Sequence, residues 1–143
     1  CLLLVVPSVV SGQELAVDST PNVFEMGDAY ISPTGLTTAE LFINGKTVPE
    51  APAALSILAI GPGANVPEHV HDGSAEFLYI LEGGGTMTVA GIAQVVSAGS
   101  AIYIPADTPH SYTNDAVEMT RAVQVYVGPG PEARFRNWAP VEE

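Results

Sequence analysis

Short apolar runs, each broken by a glycine- or proline-bearing turn after roughly ten residues, limit the fold of this chain more than any other feature. From Leu55 onward the rhythm is regular. Leu55 to Ile60 is one run, stopped by Gly61-Pro62-Gly63. Glu76 to Leu81 is a second, stopped by Glu82-Gly83-Gly84-Gly85. Thr86 to Val89 and Ile92 to Val96 flank Ala90-Gly91, a two-residue turn of hairpin type. Ser97-Ala98-Gly99 leads into Ala101 to Ile104, and Pro105 to Pro109 reads as a loop. His110 to Thr113 and Thr120 to Val127 are the last strands. Earlier, Ser32-Pro33-Thr34-Gly35 is a turn, Asn44-Gly45 carries a hairpin signal, and residues 49–52 form a short connector. No segment has helical periodicity, and the tail from Gly128 is proline-rich and irregular. Strands this short and this evenly spaced predict an all-β sandwich or barrel. The 143 residues contain no repeat array or low-complexity tract, so one domain with a real core is expected over residues 13–143.

Charge and cysteine content exclude several classes of function. The formal net charge is −12, with only Lys46, Arg121, Arg134 and Arg136 positive. Such a surface repels phosphate backbones, so nucleic acid is not an expected partner, and it repels anionic membranes equally. Cys1 is the single cysteine, which rules out an intramolecular disulfide or a thiolate zinc knuckle within the chain. No stretch is long enough for an ordinary transmembrane helix, so membrane insertion of the mature domain is not expected. Residues 1–12 begin CLLLVVPSVV and resemble the apolar middle of a secretory signal, with cleavage after Gly12. That reading implies an exported protein. Lipidation at Cys1, and an apolar first strand on the barrel, are the alternatives.

The three histidines of the chain fall into one pattern. On an extended strand His69 and His71 project to the same side. Asp72-Gly73-Ser74-Ala75 turns the chain, and Glu76 opens the next strand, expected beside the one that carries the histidines. His110 follows two hairpins later, after Pro109. Imidazole nitrogens and a carboxylate oxygen suit a borderline divalent metal, and four such ligands leave positions open for water or substrate.

These residues carry a family resemblance. Gly63-x5-His69-x-His71-x4-Glu76-x6-Gly83 is similar to the first cupin motif without a mismatch. Gly99-x5-Pro105-x-Asp107-x2-His110-x3-Asn114 is similar to the second, with Asp107 where that family usually has glycine. Asp tolerates left-handed backbone better than most residues, so the departure does not threaten the fold. The resemblance is strong over residues 55–127. It implies a double-stranded β-helix, or jelly-roll, barrel in which His69, His71, Glu76 and His110 hold one divalent transition metal. Iron, manganese, nickel, copper, cobalt and zinc all suit that ligand set.

Alternation along strands suggests the pocket around that metal. If His110 faces inward, so do Tyr112, a candidate acid or hydrogen-bond donor, and Asn114. If Glu76 faces inward, Leu78 and Ile80 supply an apolar wall. Gln124 and Tyr126 share a face opposite Val123, Val125 and Val127, and Gln124 is expected in the pocket. Phe77, Tyr79 and Leu81 would point out of the barrel. A strand apolar on both faces usually has both covered, which suggests a homodimer. Arg134 and Arg136 could anchor an anionic substrate at the barrel mouth, although pairing with the acidic surface is the simpler expectation. The favoured function is a metalloenzyme acting on a small organic molecule, of the dioxygenase, isomerase, lyase or decarboxylase type seen among similar cupins. A non-catalytic module that binds a sugar or other small ligand around a structural metal is the alternative. A storage role ranks last.

Overall fold

The computed structural model describes residues 23–142. The expected signal-like segment, residues 1–12, lies outside them. The described chain is built almost wholly from strands: β1 (Asp28–Ile31), β2 (Thr37–Ile43), β3 (Ala53–Ile60), β4 (Asn65–His69), β5 (Ala75–Glu82), β6 (Gly84–Val89), β7 (Ile92–Ser97), β8 (Ala101–Ile104), β9 (His110–Thr113), β10 (Thr120–Val127) and β11 (Ala139–Pro140). They form two antiparallel sheets. One has the order β11-β1-β2-β3-β10-β5-β8 and the other β4-β9-β6-β7. The sheets pack in a jelly-roll arrangement, the all-β barrel that the strand rhythm predicts.

Period-two alternation explains why the large sheet faces inward as it does. Along β3, Ala54, Ser56, Leu58 and Ile60 are buried while their neighbours are half-buried. Along β10 the buried set is Thr120, Ala122, Gln124 and Tyr126. β10 lies between β3, with which it is in continuous register, and β5, with which it pairs through one irregularity at Arg121/Ala122, so these inward residues form one surface. The small sheet covers it with Met87, Val96 and Tyr112. Each large aliphatic side chain so buried stabilises the fold by roughly 1.5–3 kcal/mol. The polar residues among them are the unusual feature, because each needs a partner inside.

Of three local expectations, one holds and two are refined. The Ala90-Gly91 turn forms as expected, with φ of 50° and 77° closing the β6–β7 hairpin. Asn44-Gly45 does not make a two-residue turn. β2 and β3 do pair, but residues 44–52 connect them, because the Asn44 side chain instead accepts from the Lys46 backbone N–H (2.9 Å) and the Arg136 guanidinium (2.6 Å). The tail is not wholly irregular. Pro131–Asn137 is a short 3-10 helix whose Phe135 is buried, with its ring 5.0 Å from that of Trp138.

Candidate metal centre

The histidines are brought together by strand register. β4 and β9 are antiparallel neighbours, and His69 stands opposite His110. His71 lies beyond the end of β4, which stops at His69, so one extended strand does not carry both as expected. The chain turns at residues 72–74 and still delivers the His71 ring to the same place. Ring centroids are 4.2 Å apart for His69 and His110, 4.8 Å for His69 and His71, and 4.9 Å for His71 and His110. Glu76 comes from the other sheet. Its strand β5 neighbours β10 and β8, not β4. The site therefore spans the two sheets, which sequence adjacency could not reveal.

Asp107 fixes the turn that places His71. It adopts φ of 60°, the left-handed geometry a glycine would otherwise supply. Its backbone N–H donates to the His71 carbonyl (3.0 Å), and its carboxylate accepts from the Gly73 N–H (3.0 Å). A glycine could make only the first of these bonds.

Ring orientation tests whether the site suits a metal. His69 Nδ1 lies 2.7 Å from the Pro67 carbonyl and His110 Nδ1 lies 2.8 Å from the Thr108 carbonyl. A carbonyl only accepts, so each Nδ1 carries the proton and each Nε2 presents a lone pair inward when neutral. Both Nε2 atoms are buried without a hydrogen-bond partner. The three histidines offer donor atoms all within 4.8 Å of one another. Tautomers pinned from behind and unsatisfied nitrogens in front are what a metal ligand set requires, and the residues fit a divalent metal.

Glu76 sits against two of these nitrogens. Its Oε2 is 3.0 Å from His71 Nε2, in hydrogen-bond geometry, and 3.1 Å from His110 Nε2, which is close but misdirected for a hydrogen bond. Its Oε1 accepts from Gln124 Nε2 at 2.6 Å. The amide is oriented in turn, because Ser56 Oγ donates to Gln124 Oε1 at 2.9 Å. Burial alone would push the Glu76 carboxyl up, but His110, His71 and Gln124 together outweigh it and hold the pKa at about 2. Burial pulls His69 the other way from a basic histidine, and with the Arg134 and His110 charges it lowers the pKa to about 4. For His110, burial is outweighed by Glu76 and the Thr108 carbonyl, and the pKa is raised.

These shifts predict acid sensitivity of the metal-free protein. His69 is depressed below its ordinary 6.5, so its contribution is full above that pH and is lost as pH falls toward 4. Glu76 is depressed below 4.5, so its contribution is lost as pH falls from there toward 2. His110 acts oppositely, in the window just above 6.5. The urea midpoint of metal-free protein should therefore drop between pH 6.5 and 4 and keep dropping below. A midpoint constant over that range would contradict the placement of His69.

The site opens into a cavity of about 660 Å³ between the sheets. That is room for a small organic molecule. Leu78 and Ile80 line it, as expected, with Leu58, Ile60, Met87 and Trp138. Gln124 also lines it. Tyr112 is on the wall, but its hydroxyl lies 2.9 Å from both the Gly84 carbonyl and Thr120 Oγ1, and burial raises its pKa. The Asn114 amide is turned to backbone instead, donating to the Ile60 and Glu118 carbonyls at 2.8 Å each. Of the two arginines weighed as anchors at the barrel mouth, Arg134 lines the cavity and Arg136 does not, and Ser56 joins the site without having been singled out in the sequence. Ser56 had only its inward register on β3 as a signal. Neither Arg134 nor Arg136 pairs with the acidic surface: no carboxylate among the described residues lies within 4.0 Å of either.

Residues 56–126 match the cupin domain model Cupin_2. The chain is 38% identical over 68 residues to dimethylsulfoniopropionate lyase DddW of Ruegeria pomeroyi, covering 48% of this chain and 44% of that one. It is 29% identical over 98 residues to quercetin 2,3-dioxygenase of Bacillus subtilis, covering 68% and 29% respectively. The matches thus span less than half the length of either relative. Among solved structures, a "predicted oxalate decarboxylase" of Thermotoga maritima superposes with a TM-score of 0.64 at 21% identity, over 73% of this chain and 97% of that one. Both motifs, the barrel and the family model agree: the chain belongs to the cupin family.

Proposed function

We propose that this cupin is a metal-dependent enzyme acting on a small organic molecule held in the cavity between its sheets. The observation that carries the reading is the pair of buried, unpartnered Nε2 atoms on His69 and His110, each backed by a backbone carbonyl. His69, His71 and His110 would hold the metal, with Glu76 as the fourth ligand after it releases His71. When bound, a first-row divalent ion would supply Lewis-acid or redox chemistry at the cavity floor. The chain does the rest. Gln124 and Ser56 hold Glu76 in a fixed orientation. The aliphatic walls exclude water and favour an apolar substrate body. Tyr112, spent on Gly84 and Thr120, supports the wall and stays protonated. The relatives named as a lyase and a dioxygenase support a reaction on a small molecule without choosing between those types.

A catalytic metal must remain reachable from the cavity, whereas a structural one is closed. Cobalt(II)-substituted protein should therefore change its visible spectrum when azide is added. A cobalt spectrum indifferent to saturating azide would sink the enzyme reading and leave a structural metal.

The same reading includes a homodimer. Phe77, Tyr79 and Tyr103 are exposed on the outer face of the large sheet, and the Phe77 and Tyr103 rings lie 4.9 Å apart. Val123 and Val125 continue the patch, and a contiguous apolar face of this kind marks an interaction surface. Sedimentation at micromolar concentration is expected to give a dimer, and Tyr79→Glu a monomer. A wild-type monomer would contradict this.

A further inference from the structure

We propose that Arg134 is a carboxylate anchor, so that the cavity takes a small organic acid with an apolar body. The inference rests on the reading of the cavity as a ligand site and adds the class of ligand. It starts from how the chain spends its four cations. Lys46 pairs with Asp28 at 3.2 Å and Arg121 with Glu82 at 3.5 Å, both in exposed positions. Arg136 donates to Asn44 at 2.6 Å. Arg134 alone lines the cavity. It has no carboxylate partner among the described residues, although the chain carries 16 acidic residues against four basic ones. A half-buried guanidinium that lines the cavity without a direct carboxylate partner among the described residues is free to pair with an anion entering it.

The guanidinium is also held in place. Its 3-10 helix is pinned by buried Phe135, and buried Glu132 accepts from the Gly130 N–H at 2.6 Å. Its Cζ lies 4.9 Å from the Phe135 ring centroid. The one hydrogen bond it makes among the described residues is to the Tyr126 hydroxyl at 3.3 Å. Burial pushes the Tyr126 pKa up, so that partner is neutral and brings no compensating charge. Most of the five guanidinium N–H donors remain for a ligand, and their planar fork matches a carboxylate.

Arg134 is joined to the metal centre by a short relay. It reaches Tyr126 at 3.3 Å, Tyr126 reaches Gln124 at 2.8 Å, and Gln124 reaches Glu76 at 2.6 Å. A small acid fixed at Arg134 would share one cavity with the apolar wall of Leu78 and Ile80 and with His69 and His110. Neutral ligands of the same shape would leave the guanidinium unpaired, and this sets the direction of selectivity.

Trp138 is the single tryptophan and lines the cavity, so its emission reports binding directly. Full-length protein as purified would be titrated with benzoate against benzamide and hexanoate against hexanamide, and again after chelation. The acids are expected to bind at least about tenfold more tightly than their amides. Arg134→Gln should abolish that preference, and Arg134→Lys should keep part of it, with both variants melting near the wild type. Equal binding of acid and amide would overturn the proposal. So would a preference that survives Arg134→Gln, or no saturable binding of any acid in the millimolar range. Failure of the metal reading shows separately, as absence of metal with the Arg134-dependent preference intact in the chelated protein.

Discussion

Replacing His110 with alanine is expected to weaken metal binding by at least about 100-fold, since even residues that only orient metal ligands cost 10–100-fold when removed. His110 is buried, with its Nδ1 tied to the Thr108 carbonyl and its Nε2 left without a hydrogen-bond partner. It stands opposite His69 in the β4–β9 register. Its loss removes one donor and leaves His69 and His71, two residues apart, with only Glu76 reaching them from the other sheet. The measurement is metal retained after dialysis against a weak chelator, with far-UV circular dichroism to show that the β fold persists. A folded variant that keeps its metal would remove His110 from the ligand set. Activity, where a substrate is found, should vanish in parallel.

The second large effect is on stability. Gly83 links β5 to β6 with φ of 73°, and a Cβ placed there would strike the Met119 carbonyl oxygen and crowd the Thr120 Cα at 2.9 Å. Both faults are backbone faults, so no side-chain rotation relieves them. Left-handed geometry costs a non-glycine residue roughly 1–2 kcal/mol, and the steric clash adds to it. Gly83→Ala should therefore lower unfolding free energy by about 3 kcal/mol in urea titration. A loss below about 0.5 kcal/mol, as for an ordinary surface substitution, would contradict the geometry of this link.

Much of this molecule is legible in its sequence, for identifiable reasons. The β6–β7 hairpin is read correctly because a two-residue turn with glycine second admits few geometries. The three histidines do come together, and the sequence signals it because all of them belong to one motif pair. Asp107 is an instructive departure: left-handed tolerance predicts that it fits, and it does, at φ of 60°. Its bond to Gly73 depends on tertiary placement and leaves no local signal. The same limit explains Glu76. Spacing places it near the histidines, but only the sheet order shows that it reaches them from the opposite sheet. Asn44-Gly45 misleads because the Asn44 side chain is claimed by Arg136, far along the chain. The 3-10 helix at Pro131–Asn137 is too short for helical periodicity to register, so nothing in the sequence separates Arg134, which lines the cavity, from Arg136, which does not.

The central claim is that the histidine cluster holds a metal. Elemental mass spectrometry on protein purified without a histidine tag tests it most directly. The account predicts one first-row transition metal per chain, near stoichiometric, that is lost in His110→Ala. Protein that carries no metal, and takes up none when iron, manganese, nickel, copper, cobalt or zinc is supplied to the chelated form, would contradict it.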